Sequence, residues 1–195
     1  MESAVTEQDQ PGRPRDDRID RSALRVTAEM ALVMSYGELS LTAIAKEART
    51  SRAALHRRWN SKAELVLEAF VANTAAVVDH DTGSLRGDLE SLTRQNAELF
   101  TSPRHRGLAI AALDALGDLG LDYPGIPQPR TDTISSIFER AAGRGDLPEH
   151  ASPEVVTQLL AGAVLFRSVV LNEPLSDDDI SDLVTAVLGA SRTSV

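Results

Sequence analysis

Apolar residues recur every third or fourth position through nearly every segment of the chain, and alternating runs rich in β-branched residues are absent. That spacing is the period of a helix, so the pattern predicts an all-α protein of about nine helices. The first is expected over about Asp20–Ser35, with Leu24, Ala28, Ala31 and Leu32 on one inward stripe and Gly37 as its stop. Ser40 should cap a second helix whose Leu41, Ile44, Ala45 and Ala48 form a complete inner face. Ser51 should cap a third helix reaching Trp59, and Ser61 a fourth running from Lys62 past Phe70.

Farther along, helices are expected over about Leu85–Thr101 and Arg104–Asp118, followed by an irregular loop with Tyr123, Pro124, Gly125, Pro127 and Pro129. A seventh helix should end near Ala142. Ser152 and Pro153 open an eighth that should reach Leu171, and Ser176 with Asp177, Asp178 and Asp179 opens the last, ending near Ala190. Residues 1–17 are polar and carry Pro11, Gly12 and Pro14, the marks of a flexible arm.

Composition narrows this picture. The 195 residues include no cysteine, so disulfides and thiolate metal sites are excluded and a reducing compartment, the cytoplasm, is expected. The apolar stretch Leu159–Leu171 is too short for a bilayer and contains Arg167, so no membrane partner is expected.

Net charge is −9, yet residues 1–70 balance at 11 basic and 11 acidic side chains, while residues 71–195 hold 9 and 18. Within residues 42–62, Lys46, Arg49, Arg52, Arg57, Arg58 and Lys62 lie against a single acid, Glu47. A local cationic patch of this kind is what phosphate contact needs, whatever the global charge. On a wheel of the third helix, Leu55 and Trp59 point one way. Ala53 and Arg57 point nearly opposite, flanked by Ala54 and His56.

Two short helices joined by a tight turn, the second apolar inside and basic outside, form a helix-turn-helix. Arg57 and Arg52 can each donate two hydrogen bonds to guanine, and His56 can reach a base edge or phosphate. Ala53 and Ala54 allow close approach. Ser40, Arg58 and Lys62 sit where hydroxyls, amides and charge anchor phosphates. Arg13 and Arg15 are candidates for a minor groove, although a disordered arm accounts for them better.

The segment from about Ile19 to Phe70 resembles the DNA-binding domain of the TetR family of bacterial transcriptional regulators. The marks are an aromatic-Gly pair in "YGELS", then "LTAIAKEARTS", then "ALHRRWNSKAEL" with its aromatic, Ser-Lys pair and Leu65. The resemblance implies DNA contact for Ser40, Thr42, Ser51, Arg52, Ala53, Ala54, His56, Arg57, Arg58 and Lys62. Two positions depart from the pattern: Arg49 stands where Gly is usual, and His56 where Tyr is usual.

The remainder resembles the family's helical regulatory domain more loosely. The division this implies is 1–17 arm, 18–66 DNA-binding domain, and 67–195 ligand-binding and dimerisation domain. The last two helices imply a symmetric dimer through Val156, Leu159, Val164, Arg167, Val170, Ile180, Leu183, Val184 and Val187. Candidate linings for an unknown small-molecule effector are Leu99, Phe100, Leu108, Leu113, Leu116, Ile134, Phe138, Leu160 and Phe166.

No Gly-rich phosphate loop, nucleophile elbow or paired carboxylate–His arrangement stands out, so an enzyme is not expected and no cofactor or metal is called for. His80, His105 and His150 lack metal-ligand spacing. The expectation is a homodimeric repressor of a palindromic operator, released by an effector. The alternative is an all-α small-molecule-binding dimer without specific DNA recognition.

Overall fold

Six serine hydroxyls set the starts of helices in the chain. In a computed structural model that describes residues 17–74, 78–120, 131–148 and 152–189, Ser40 Oγ accepts from Ala43 N at 3.2 Å and Ser51 Oγ from Ala54 N at 3.0 Å. Ser61 accepts from Glu64 N at 3.1 Å, and Ser84 from Gly87 N at 3.1 Å. Ser152 accepts from Val155 N at 3.4 Å, and Ser176 from Asp179 N at 3.2 Å. Each hydroxyl occupies an amide that a helix start otherwise leaves without an intrahelical partner.

The helices are α1 Asp17–Met30, α2 Leu41–Glu47, α3 Arg52–His56, α4 Lys62–Thr74 and α5 Leu85–Leu99. They continue with α6 Pro103–Leu119, α7 Thr131–Arg144, α8 Pro153–Leu165 and α9 Asp177–Gly189. No strand occurs among the described residues. The expected arm with Arg13 and Arg15, the loop ending at Pro129, and His150 and Ala190 lie outside the described residues.

Three elements depart from the sequence reading. α1 stops at Met30, and Leu32, expected on the inner stripe, is exposed. Gly37 is not its stop, because positive φ among described glycines is confined to Gly83, Gly120 and Gly145. α3 ends at His56, short of Trp59. α8 leaves the α register at Phe166 and continues as a wider π turn, Phe166–Val170, in which Leu171 N reaches back five residues to Phe166 O at 3.0 Å. That register change costs the uniform helix expected as far as Leu171, because a π turn rotates every side chain beyond it.

Four apolar clusters hold the bundle. In the N-terminal head, Ala23, Val26, Ile44, Ala45, Leu55, Trp59 and Leu65 pack α1 to α4 together. Ala28, Ala31, Tyr36, Val66 and Leu67 then meet Leu108, Ala111, Ala112 and Ala115 of α6. The small residues on α6 let the backbones close up: a Cβ added at Gly107 would lie 2.6 Å from Ala31 O. Below this neck, Leu85, Leu89, Ile137, Phe138, Val156, Leu160, Val184 and Val187 join α5, α7, α8 and α9. Ala97, Phe100, Ala109, Val164, Val169 and Ile180 form the fourth cluster.

Asp88 ties the loop before α5 to α7. Burial pushes its carboxyl up, but the hydroxyl and amide of Thr82, both 2.7 Å away, and the guanidinium of Arg144 at 3.2 Å hold it below its ordinary value.

The helical run Pro153–Val170 is long and apolar enough, by length and composition, to cross a membrane. It is longer than the stretch counted from Leu159 in the sequence. Val156, Leu160, Val164 and Val169 face the bundle, whereas Val155, Leu159, Phe166 and Val170 are exposed.

Candidate nucleic-acid interface

The turn between α2 and α3 is made by an arginine in a glycine's conformation. Arg49 has φ 52°, and the chain closes around it with Arg49 N on Lys46 O at 3.1 Å and Thr50 N on Ala45 O at 2.9 Å. This is the double bond of a Schellman cap. It is the strain expected where Arg49 replaces the family's Gly, and it leaves the Arg49 side chain exposed at the turn.

α3 is set by its inner edge. Leu55 and Trp59 are 0% and 3% exposed, and Trp59 Nε1 donates to Glu68 Oε2 at 2.5 Å. Arg52, Ala53, His56 and Arg57 consequently project outward. Arg52 Nε donates to His56 Nε2 at 3.2 Å, which holds these two side chains side by side along the helix. Ser40, Thr42 and Ser51 are exposed at the starts of α2 and α3.

Arg58 is placed differently. Its side chain is 9% exposed, its Nε donates to Asp20 Oδ1 of α1 and its NH1 to Ala54 O at 3.1 Å. Ala54 is 4% exposed. Both were expected on the DNA face. They are four residues apart and so share a stripe adjoining Leu55 and Trp59, which the packing of α3 on α1 turns inward.

Lys62 is also taken up by the fold. Its Nζ donates to Tyr36 O at 2.8 Å and stands 3.8 Å from the centre of the Tyr36 ring, so it braces the turn after α1 instead of standing out from the surface. Tyr36 in turn donates its hydroxyl to Asp118 Oδ2 of α6 at 2.5 Å. Burial, that hydrogen bond and the charges of Asp118 and Asp114 push the Tyr36 hydroxyl well above its ordinary range.

Of the six clustered cations, Lys46, Arg49, Arg52 and Arg57 are exposed; set against exposed Glu47 they leave three net positive charges around α3. Lys46 and Arg49 belonged to the charge cluster, but no role was assigned to them from sequence.

The expected effector and dimer residues are more dispersed. Leu108 lies in the neck cluster with Leu116 beside it, Phe138 and Leu160 in the lower cluster with Ile134, and Phe100 in the fourth with Leu99. Leu113 and Phe166 are exposed. They fall in separate clusters, because each helix turns its apolar stripe to a different neighbour. Of the expected interface, Val156, Val164, Ile180, Val184 and Val187 are buried in the chain's own core. Leu159 and Val170 are exposed, Leu183 is partly covered, and Arg167 NH1 pairs with Asp179 at 2.7 Å.

An all-helical chain with a capped helix-turn-helix and a cationic outer face on its second helix defines a DNA-binding transcriptional regulator. Family comparison agrees. Residues 24–69 match the model of bacterial regulatory proteins of the tetR family, and residues 79–187 match that of the tetracyclin repressor-like C-terminal domain.

An uncharacterized HTH-type transcriptional regulator of Mycobacterium tuberculosis is 33% identical over 188 residues, 94% of this chain and 90% of its own length. The DNA-binding transcriptional repressor TetR of Mycobacteroides abscessus is 29% identical over 184 residues, 89% and 94% of the two chains. The fold is shared with the crystal structure of a TetR family transcription regulator, at 23% identity and TM-score 0.59, over 88% of this chain and 97% of the other. The protein belongs to the TetR family of bacterial transcriptional regulators and is not an enzyme.

Proposed function

We propose that the protein is a homodimeric repressor in the bacterial cytoplasm whose two α3 helices occupy successive major grooves of a near-palindromic operator, and that a small-molecule effector releases it. Residues 18–66 act as the reading head and 67–195 as the effector and dimerisation body, with α4 shared between them. The observation that carries this reading is the outer face of α3, where Arg52, Ala53, His56 and Arg57 stand clear of the protein. Arg57 and Arg52 read guanine edges; Lys46, Arg49 and the exposed Ser40, Thr42 and Ser51 meet phosphates.

A second copy of the chain covers the exposed strip Val155, Leu159, Phe166 and Val170, which also accounts for an apolar helix so little buried. Two heads then reach half-sites about 34 to 36 Å apart or a multiple of that. An effector that favours a wrong head separation weakens operator binding by its differential affinity for the two states.

The test is a gel shift on DNA upstream of the protein's own gene, with and without Arg57→Ala. The substitution should cost roughly 1–3 kcal/mol and relax preference at one base position per half-site. Unchanged affinity for every base variant would remove α3 as the recognition element.

A further inference from the structure

A cavity of about 200 Å³ lies between the end of α5, the start of α6 and the π turn, walled by Ala97, Phe100, Arg106, Ser168, Asn172 and Glu173 among others. A second hollow of about 330 Å³ shares Ala97, Thr101 and Pro174 with it and is walled further by Leu175 and Ile180 and by the charged Arg94, Glu98 and Asp177. None of the polar residues here was given a ligand-binding role from sequence.

The π turn is the reason Ser168 is in this wall. Ser168 is 6% exposed, and its Oγ has no hydrogen-bond partner. In a regular helix a serine hydroxyl falls back on the carbonyl one turn earlier; this one does not, so a buried donor and acceptor are left without a partner in a residue that lines the cavity. Five other buried side-chain atoms share this state among the described residues, but of the six residues Ser168 is the one in this wall, and π turns gather at functional sites.

Arg106 supplies the charge. Its NH1 donates to Asn172 Oδ1, a neutral group, and it makes no ion pair among the described residues. It ends the first turn of α6, whose N-cap Ser102 makes no side-chain bond and whose first turn holds no acid, so the helix dipole adds to the positive potential there. Thr101 Oγ1 already donates to Glu98 O at 2.7 Å and is left as an acceptor. The one carboxylate in this wall, Glu173, stands 3.8 Å from Arg167 Nε, which answers part of its charge. Ala97 and Phe100 give an apolar floor.

We infer that this cleft binds a small molecule joining a carboxylate to a compact apolar body: the carboxylate accepts from Arg106 and the Ser168 hydroxyl, and the body lies on Ala97 and Phe100. Resting on the reading of the chain as an effector-released regulator, this cleft is its effector site. The first hollow holds about as much matter as seven waters, enough for a benzoate-sized group, and the second receives a longer tail. A few convergent polar groups above an apolar floor are the usual make-up of such sites.

The test uses the full-length protein, isotopically labelled, with sodium benzoate and benzamide as probes read by backbone amide resonances. Benzoate should shift the amides of residues 97–101 and 166–173 saturably, and benzamide should not. Ser168→Ala should weaken benzoate about tenfold while leaving the melting temperature unchanged or higher, since it removes an unpartnered hydroxyl. Arg106→Gln should erase the preference for benzoate over benzamide, and Ala97→Phe should fill the cavity and abolish binding.

The inference is overturned if no saturable shift is seen at about 10 mM benzoate, if benzamide shifts the same amides equally, or if Ser168→Ala lowers stability without affecting benzoate. Gel shifts on the same samples separate the two readings. Benzoate binding by a protein that binds no operator keeps the cleft and sinks its effector role, whereas operator binding without benzoate binding sinks the cleft alone.

Discussion

Arg58→Met tests whether the basic cluster divides between the DNA face and the protein's own interior. The guanidinium is 9% exposed and its partner Asp20 is 25% exposed; the residue also bonds Ala54 O at 3.1 Å. A hydrogen bond to a charged group contributes roughly 1.5–3 kcal/mol, and removing one member of a fully buried pair costs roughly 3–5 kcal/mol. Water recovers part of the charge on half-open Asp20, and methionine keeps the packing of the aliphatic stem, so the loss should be ~2 kcal/mol. For a chain of this length that lowers the melting temperature by roughly 4–8 °C.

Trp59, the only tryptophan, adjoins Arg58 in sequence and reports unfolding in urea by its fluorescence. The second readout is operator affinity across a salt series. A phosphate contact contributes close to one unit to the slope of log affinity against log salt, and the geometry of Arg58 predicts no change in that slope. Unaltered stability together with a slope reduced by about one unit per protomer would place Arg58 on the DNA and refute the inward assignment.

Gly107→Ala should destabilise the protein by roughly 1–3 kcal/mol in urea, because the new methyl meets the Ala31 carbonyl at 2.6 Å and backbone, not a flexible tip, has to yield; equal stability would show that α1 and α6 do not approach so closely. Val170→Asp changes a residue that is 59% exposed in one protomer, so it should be nearly neutral for a monomer but should split the proposed dimer to a single 20.9 kDa chain in light scattering; a persisting dimer rules out this face.

Asp179 accepts from the amide and hydroxyl of Ser176 and pairs with Arg167, which brings its carboxyl from 3.8 down to about 2. A depressed folded value means its stabilisation is present above 3.8 and lost as pH falls toward 2. The stability gap between wild type and Asp179→Asn in urea should therefore be full at about pH 5 and close near pH 2, and a gap that stays constant would contradict the assignment.

Local signals were the legible ones. Ser40, Ser51, Ser61, Ser152 and Ser176 cap as their positions suggested, and the left-handed backbone at Arg49 follows from a turn that prefers glycine. The inner face of α2 and the Leu55–Trp59 edge of α3 were readable from spacing alone, whereas Ala54 was not. Where the reading failed, the deciding contact was distant in sequence. Asp20, which turns Arg58 inward, is 38 residues away, and Tyr36, whose carbonyl takes up Lys62, is 26 away.

Helix-wide apolarity also hid a division of labour in α8, where both faces are apolar and only packing decides that Val164 is core and Leu159 is surface. The cleft at Ser168 depends on a π turn, a register change for which no residue pattern in Phe166–Val170 is a signature.

One aromatic residue joins three elements at once: the carbonyl and ring of Tyr36 engage Lys62 of α4, and its hydroxyl engages Asp118 of α6. Through these bonds the DNA-binding domain is tied to α6, whose first turn carries Arg106 at the edge of the cleft. Under the effector release proposed above, thermodynamic reciprocity makes the operator a modulator of the sensor: whatever factor the signalling compound takes from operator affinity, a protein seated on that operator loses in affinity for the compound.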